Sequence, residues 1–230
     1  MKYSMQKFDD KEILARSLAS EITHQLDRAI NGNDHATLAV SGGSTPVSFF
    51  KELSQSELDW HKVTITLVDE RWVNEDHERS NAKLVNEHLL QNRASFANFT
   101  PLFENTKDPD DAVTIVEPRL ANLPRPFDVV ILGMGLDGHT ASFFPDATEL
   151  ADALNPRTQA TVYPIHSPSI EEPRMTLTLP IVSQARFVAL HIEGNDKRDV
   201  LEKTVNEKEE LPIHQVINNC EQTPVVYWAP

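Results

Sequence analysis

Phe127-Asp-Val-Val-Ile-Leu-Gly-Met-Gly-Leu-Asp-Gly-His139 runs from a short apolar segment into a glycine turn, and His35-Ala-Thr-Leu-Ala-Val-Ser-Gly-Gly-Ser-Thr-Pro46 repeats that order. Short apolar runs of this kind have the length of strands buried on both faces, as in a parallel sheet. Upstream, Ile13, Leu14, Leu18, Ile22, Leu26 and Ile30 recur every three or four residues and predict a helix over residues 8–30. Asp9 and Asp10 are placed to start it, and Asn31-Gly32-Asn33-Asp34 to end it. Between and beyond the two glycine turns the pattern predicts a helix from about Pro46 to Leu53, a strand Val63 to Val68 and a helix from about Asn81 to Leu90. Further on come a one-sided strand Arg174 to Leu179, an apolar strand Phe187 to Ile192, a helix Lys197 to Val205, and Val225 to Trp228 closing the sheet. Proline-rich stretches at 118–126 and 164–173 read as loops. The alternation predicts an α/β fold, a doubly wound, mostly parallel sheet flanked by helices, with residues 1–230 as one domain.

Composition narrows the function. The 21 Lys and Arg face 35 Asp and Glu, a formal net charge of -14, which disfavours nucleic acid or an anionic membrane as partner. The single cysteine, Cys220, cannot form an internal disulfide, and no apolar run approaches the ~18 residues of a membrane span. The opening MKYSMQKFDDKEILARS carries no apolar signal segment, so a cytoplasmic location is expected.

Five of the seven glycines lie in the two turns, which leave predicted strands at the carboxyl edge of the sheet, where open α/β sheets bind ligands. Gly42, Gly43, Ser44 and Thr45 offer backbone N–H groups and hydroxyls suited to an anion at a helix N-terminus. They equally suit a plain strand-to-helix turn with a Ser/Thr cap. The Walker A lysine is missing, which argues against nucleoside triphosphate hydrolysis. Gly133-Met-Gly-Leu-Asp-Gly138 satisfies G-x-G-x-x-G, but Pro145 follows early and no acidic strand end follows, so a nicotinamide cofactor is not expected. His139, with Asp137 two residues before it, is placed either for proton transfer or simply to cap a helix. Asp69, Glu70 and Arg71 end a strand at the same edge, Arg174 begins one, and Lys197 opens a helix, where a cation opposes the macrodipole. No metal-ligand spacing, CxxC pair or G-x-S-x-G elbow occurs, so metal, redox and serine-nucleophile chemistry have no support, and a hydrolysis here would use water.

The ordered set SGGSTP, DERW with Ser80-Asn81, LGMGLDGHTASFFP, RMTLTLP and GNDKR resembles the 6-phosphogluconolactonases of the glucosamine-6-phosphate isomerase/6-phosphogluconolactonase family, over about residues 37 to 217. The resemblance implies a cytoplasmic, metal-independent hydrolase of the oxidative pentose phosphate pathway with a modified Rossmann-like sheet and no cofactor. It implies His139 as general base on water, with Asp137 orienting the loop or the imidazole. Gly42, Gly43, Ser44, Thr45, Asp69, Arg71, Arg174 and Lys197 would then hold a phosphorylated sugar lactone. A monomer or small homo-oligomer is expected. The chain departs from the lactonase pattern at Asn74, where proline is expected after DERxV. Two other readings stay open: a sugar-phosphate deaminase sharing both glycine loops, and a noncatalytic sugar-phosphate sensor that would not need His139.

Overall fold

The computed structural model describes residues 3–207 and 211–230. The chain runs β1 (Ser4–Lys7), α1 (Lys11–Asn33), β2 (Ala36–Val40), α2 (Val47–Ser54), β3 (Val63–Leu67), β4 (Asp69–Arg71), α3 (Asn81–His88), β5 (Asn98–Thr100) and α4 (Pro109–Ala121). It continues through β6 (Val129–Leu132), α5 (Leu150–Ala153), β7 (Val162–Ile165), β8 (Arg174–Leu177), α6 (Leu179–Ser183), β9 (Phe187–Glu193), α7 (Asn195–Glu207), α8 (Pro212–Asn219) and β10 (Val225–Ala229). Seven strands form one sheet in the order β1-β10-β9-β6-β2-β3-β5, every neighbouring pair parallel. Helices pack on it, α1 against β2, β6 and β10, and α7 against β9. The fold is α/β with a mostly parallel central sheet flanked by helices, as the sequence indicates.

The apolar runs become strands for the reason their pattern suggests. All five residues of β2 and all four of β6 are buried, so a continuous apolar sequence costs nothing at either face. Asp10 caps α1 by accepting from the Ile13 N–H at 2.7 Å, and Asp34 ends the helix in the left-handed region at φ 65°. Between these caps Leu14, Leu18, Ile22, Leu26 and Ile30 are buried, whereas Ile13 is 40% exposed and leaves the expected stripe.

Other expectations need correction. β10 does not close the sheet, because β1 lies outside it; Ser-Met-Gln-Lys is a largely exposed edge and so carries no apolar run. Arg174 begins a strand that ends at Leu177, is buried on both faces, and belongs to a second, three-stranded antiparallel sheet in the order β4-β8-β7. Pro118 lies inside α4, where burial of Val116 and Leu120 on either side offsets the backbone bond that proline forfeits. Pro164 lies in β7, an edge strand that tolerates a missing N–H. The second glycine turn is not followed directly by a helix; irregular chain leads to the four-residue α5.

This topology positions the site. From β2 the sheet extends to β3 and β5 on one side, while β6, beside β2, leads to β9 and β10 on the other. The order therefore reverses between β2 and β6, and a crevice opens at their carboxyl ends. Asp128 fixes the register at the far end by accepting from the Thr37 N–H at 2.8 Å and Thr37 Oγ1 at 3.0 Å. Among the described residues no helix is long and apolar enough to cross a membrane.

Candidate functional site

Ser41 ties the two glycine turns together across the crevice. Its hydroxyl donates to the Ile131 carbonyl at 2.9 Å and accepts from the Gly133 N–H at 3.0 Å. Above this stitch lies a cavity of about 330 Å³, within the range of small-molecule sites. Gly42, Gly43, Ser44, Thr45, Asp69, Arg71, His139, Arg174 and Lys197 all line it. Asp137 does not line it, yet it touches His139.

That contact is short. His139 Nδ1 lies 2.6 Å from Asp137 Oδ1, which also accepts from the His139 backbone N–H at 3.2 Å. Burial pushes the Asp137 carboxyl up, but the hydrogen bond and charge of His139 outweigh it and hold the group below the usual carboxylate range. An ionised carboxylate only accepts, so in the neutral ring Nδ1 carries the proton and Nε2 keeps its lone pair. Phe144 packs against the imidazole with ring centroids 4.4 Å apart and also lies under the Arg174 guanidinium, 5.6 Å from ring centroid to Cζ. The turn itself is closed by Gly135 N–H donating to the His139 carbonyl at 2.9 Å.

The cations come from the second sheet and from α7. In the β4–β8 pair Arg71 stands directly opposite Arg174. Like charges in that position repel, and an anion between them offsets the repulsion. Asp69 supplies part of the balance, its Oδ2 3.9 Å from Arg174 Nη1 and accepting from Ser142 Oγ at 2.6 Å. Arg71 Nη1 donates to the Arg79 carbonyl at 2.6 Å, while Nε of both arginines is buried without a partner among the described residues. Burial lowers the pKa of Arg174 and Lys197 from their ordinary values; Asp69 and Glu193 respectively oppose that shift. Three cations thus line the crevice of an otherwise acidic chain, two of them with a buried Nε that has no partner among the described residues.

Behind the arginines Glu70, fully buried, caps α3. Its Oε1 accepts from the N–H groups of Arg71 and Asn81 at 2.8 and 2.7 Å, and Oε2 from Ala82 N–H at 2.7 Å. Burial pushes its pKa up to about 7 against these three bonds. In Glu70→Gln one oxygen becomes a donor, so a buried N–H is stranded, and the variant is expected to lose about 1–3 kcal/mol of stability in urea unfolding. The folded pKa lies above the ordinary 4.5 because burial outweighs these bonds, so the protonation-linked part of Glu70's effect is fully present below that pH and is lost as pH rises through about 7, when the buried carboxyl must ionise. The variant should lack this slope.

Asn81 stands in the Ser80-Asn81 motif, where the sequence alone gives it no role. Its Nδ2 donates to the Asp69 carbonyl at 2.8 Å, and its Oδ1 packs so tightly on Gly42 that a Cβ there would lie 1.8 Å away. Only glycine fits that turn. Ser41, Ser142 and Phe144 lie within SGGSTP and LGMGLDGHTASFFP, but nothing in their local sequence assigns them a part in the site. His191, which lines the cavity from β9, left no signal in an apolar strand.

Residues 9–228 match the family described as glucosamine-6-phosphate isomerases/6-phosphogluconolactonase. The chain belongs to that family. Among relatives, the 6-phosphogluconolactonase of Mesorhizobium japonicum is 46% identical over 228 residues, covering 99% of this chain and 96% of that one. That of Rhizobium meliloti is 43% identical, with both chains covered in full. The crystal structure of a 6-phosphogluconolactonase from Shewanella baltica superposes with a TM-score of 0.94 at 40% identity, covering 99% of this chain and 98% of that one. Family membership extends over nearly the whole length, including every cavity residue named above.

Proposed function

We propose that the chain hydrolyses 6-phospho-D-glucono-1,5-lactone to 6-phospho-D-gluconate, a step of the oxidative pentose phosphate pathway, acting as one cytoplasmic, metal-independent domain, monomeric or in a small homo-oligomer. The observation that carries this reading is the His139–Asp137 pair, held at 2.6 Å on the rim of a cavity that also contains Arg71, Arg174 and Lys197. The names of the full-length relatives support the same substrate.

In this reading Nε2 of His139 takes a proton from water as the oxygen attacks the lactone carbonyl. Asp137 holds the imidazole in the required tautomer and stabilises the imidazolium that forms. Negative charge developing on the carbonyl oxygen is met by Arg71 or by N–H groups of the glycine turns. The tetrahedral adduct then collapses, the ring C–O bond breaks, and the imidazolium gives its proton to the departing ring oxygen, which becomes a hydroxyl. Arg174, Lys197 and the Gly42–Thr45 turn hold the phosphate and sugar hydroxyls, and Asp69 orients Arg174.

Arg71 lines the cavity, and this favours the lactone over an amino sugar. A fixed guanidinium repels a substrate ammonium but stabilises an oxyanion. The deciding assay follows lactone loss from freshly generated substrate, corrected for spontaneous hydrolysis, beside ammonia release from glucosamine 6-phosphate. Acceleration of the first with none of the second is expected. Ammonia release at enzymatic rates, in protein free of contaminating deaminase, would reverse the assignment.

Arg174→Ala or Lys197→Ala should cost roughly tenfold or more in kcat/KM on the phosphorylated lactone, the worth of a charge-assisted hydrogen bond of ~1.5–3 kcal/mol. Unphosphorylated gluconolactone should suffer far less. Equal losses on both substrates would make these side chains structural.

A further inference from the structure

His191 is the buried polar group of the cavity that the proposed reaction leaves unused. It is 3% exposed, stands on β9 opposite Tyr227 of β10, and lines the same cavity as Lys197 and the Gly42–Gly43 turn. Its ring packs edge-on against Phe49 of α2, with centroids 6.3 Å apart. Neither ring nitrogen has a hydrogen-bond partner among the described residues. Glu193 Oε1 stands 3.5 Å from Nε2, a long contact that acts on the ring mainly through charge, and the same carboxylate is paired with Lys11 at 3.1 Å. On Nδ1 an N–H has no acceptor among the described residues, and on Nε2 it meets only the long contact with the Lys11-paired Glu193.

Such a group is costly beside a phenylalanine, where an apolar side chain would pack without penalty. Its retention makes sense if an acceptor arrives with the ligand. The charge at this end of the cavity says which acceptor. The Glu193 charge acts on Lys197 as well as approaching His191, so the imidazole and the Lys197 ammonium share one polar corner. Two nitrogen donors, one of them cationic, suit the oxygens of a phosphate group better than a neutral hydroxyl. We propose that His191 donates a hydrogen bond to the substrate phosphate beside Lys197 and so helps select phosphorylated over unphosphorylated lactones. This rests on the reading that the cavity takes a phosphorylated sugar lactone.

The test uses the full chain carrying His191→Phe, which keeps an aromatic ring against Phe49 and removes both nitrogens. Calorimetry should give dissociation constants for inorganic phosphate and 6-phosphogluconate raised roughly tenfold or more. In turnover, kcat/KM for the phosphorylated lactone should fall, through KM, by a similar factor relative to gluconolactone. Unchanged dissociation constants, or equal losses on both lactones, overturn the proposal. If His191→Phe does not fold, wild-type protein labelled with ¹⁵N-histidine decides. Saturating phosphate must move the His191 ring signals, assigned by their absence in His191→Gln, and unmoved signals overturn it. Wild-type protein that binds phosphate but hydrolyses no lactone removes the proposed function, while the binding comparison still judges His191.

Discussion

Replacing His139 by alanine is expected to lower kcat by roughly 10²–10⁴-fold, the usual worth of a positioned general base. The expectation rests on the way the imidazole is held. Its Nδ1 is committed to Asp137 at 2.6 Å, its face to Phe144, and its backbone N–H and carbonyl to Asp137 and Gly135. Only Nε2 remains for chemistry. Truncation removes that nitrogen and touches none of Arg71, Arg174 or Lys197 directly, since they stand on other elements and Arg174 meets the imidazole only through Phe144. Affinity for 6-phosphogluconate, read by calorimetry, should therefore stay close to wild type while turnover collapses. The measurement is the initial rate of lactone loss at saturating substrate, corrected for uncatalysed hydrolysis. A wild-type kcat would take the base away from His139 and leave Asp69, the carboxylate that lines the cavity, as the candidate.

What could be read from the sequence was local. The two glycine turns and the strands feeding them declare themselves within a dozen residues, because the apolar run and the φ-permissive turn are neighbours in the chain. His139 and Asp137 follow from the same segment. The facing of Arg71 and Arg174 was illegible, since it depends on β4 leaving the main sheet to pair with a strand far along the chain. Nothing in Val68-Asp-Glu-Arg-Trp72 announces that departure: a strand end and a new antiparallel strand share the same polar composition. The helical Pro118 was hidden for the opposite reason, a strong local signal overridden by burial on both sides. His191 was invisible because an apolar strand tolerates a single polar residue for many reasons. Its meaning appears only when the crevice, Glu193 and Lys197 are brought beside it.

Gly135→Ala is expected to lower kcat by on the order of 10²-fold with little change in stability or KM, although residue 135 carries no chemistry of its own. The backbone there is not in the left-handed region, unlike Gly43 and Gly138, so alanine can adopt it without strain. The obstacle is the side chain's destination. A Cβ at this position would lie 2.3 Å from Cε1 and Nδ1 of His139 and 2.5 Å from Asp137 Oδ1. Non-bonded atoms settle at ~3.5–4.0 Å, so the imidazole and the carboxylate must both retreat by about 1 Å or more. The retreat breaks the bond to Asp137 and displaces Nε2 from the position that the proposed attack of water requires. A displacement of about 1 Å can cost on the order of 10²-fold in rate. The cations are untouched, and binding should persist. Gly133→Ala is the matched control, because its Cβ would meet nothing nearer than Ser41 Cβ at 3.9 Å, an ordinary contact. Steady-state kinetics and thermal unfolding of the two variants together separate a displaced imidazole from a damaged turn: a Gly135→Ala protein that is folded and as active as Gly133→Ala would mean that the pairing of His139 with Asp137 does not govern the rate.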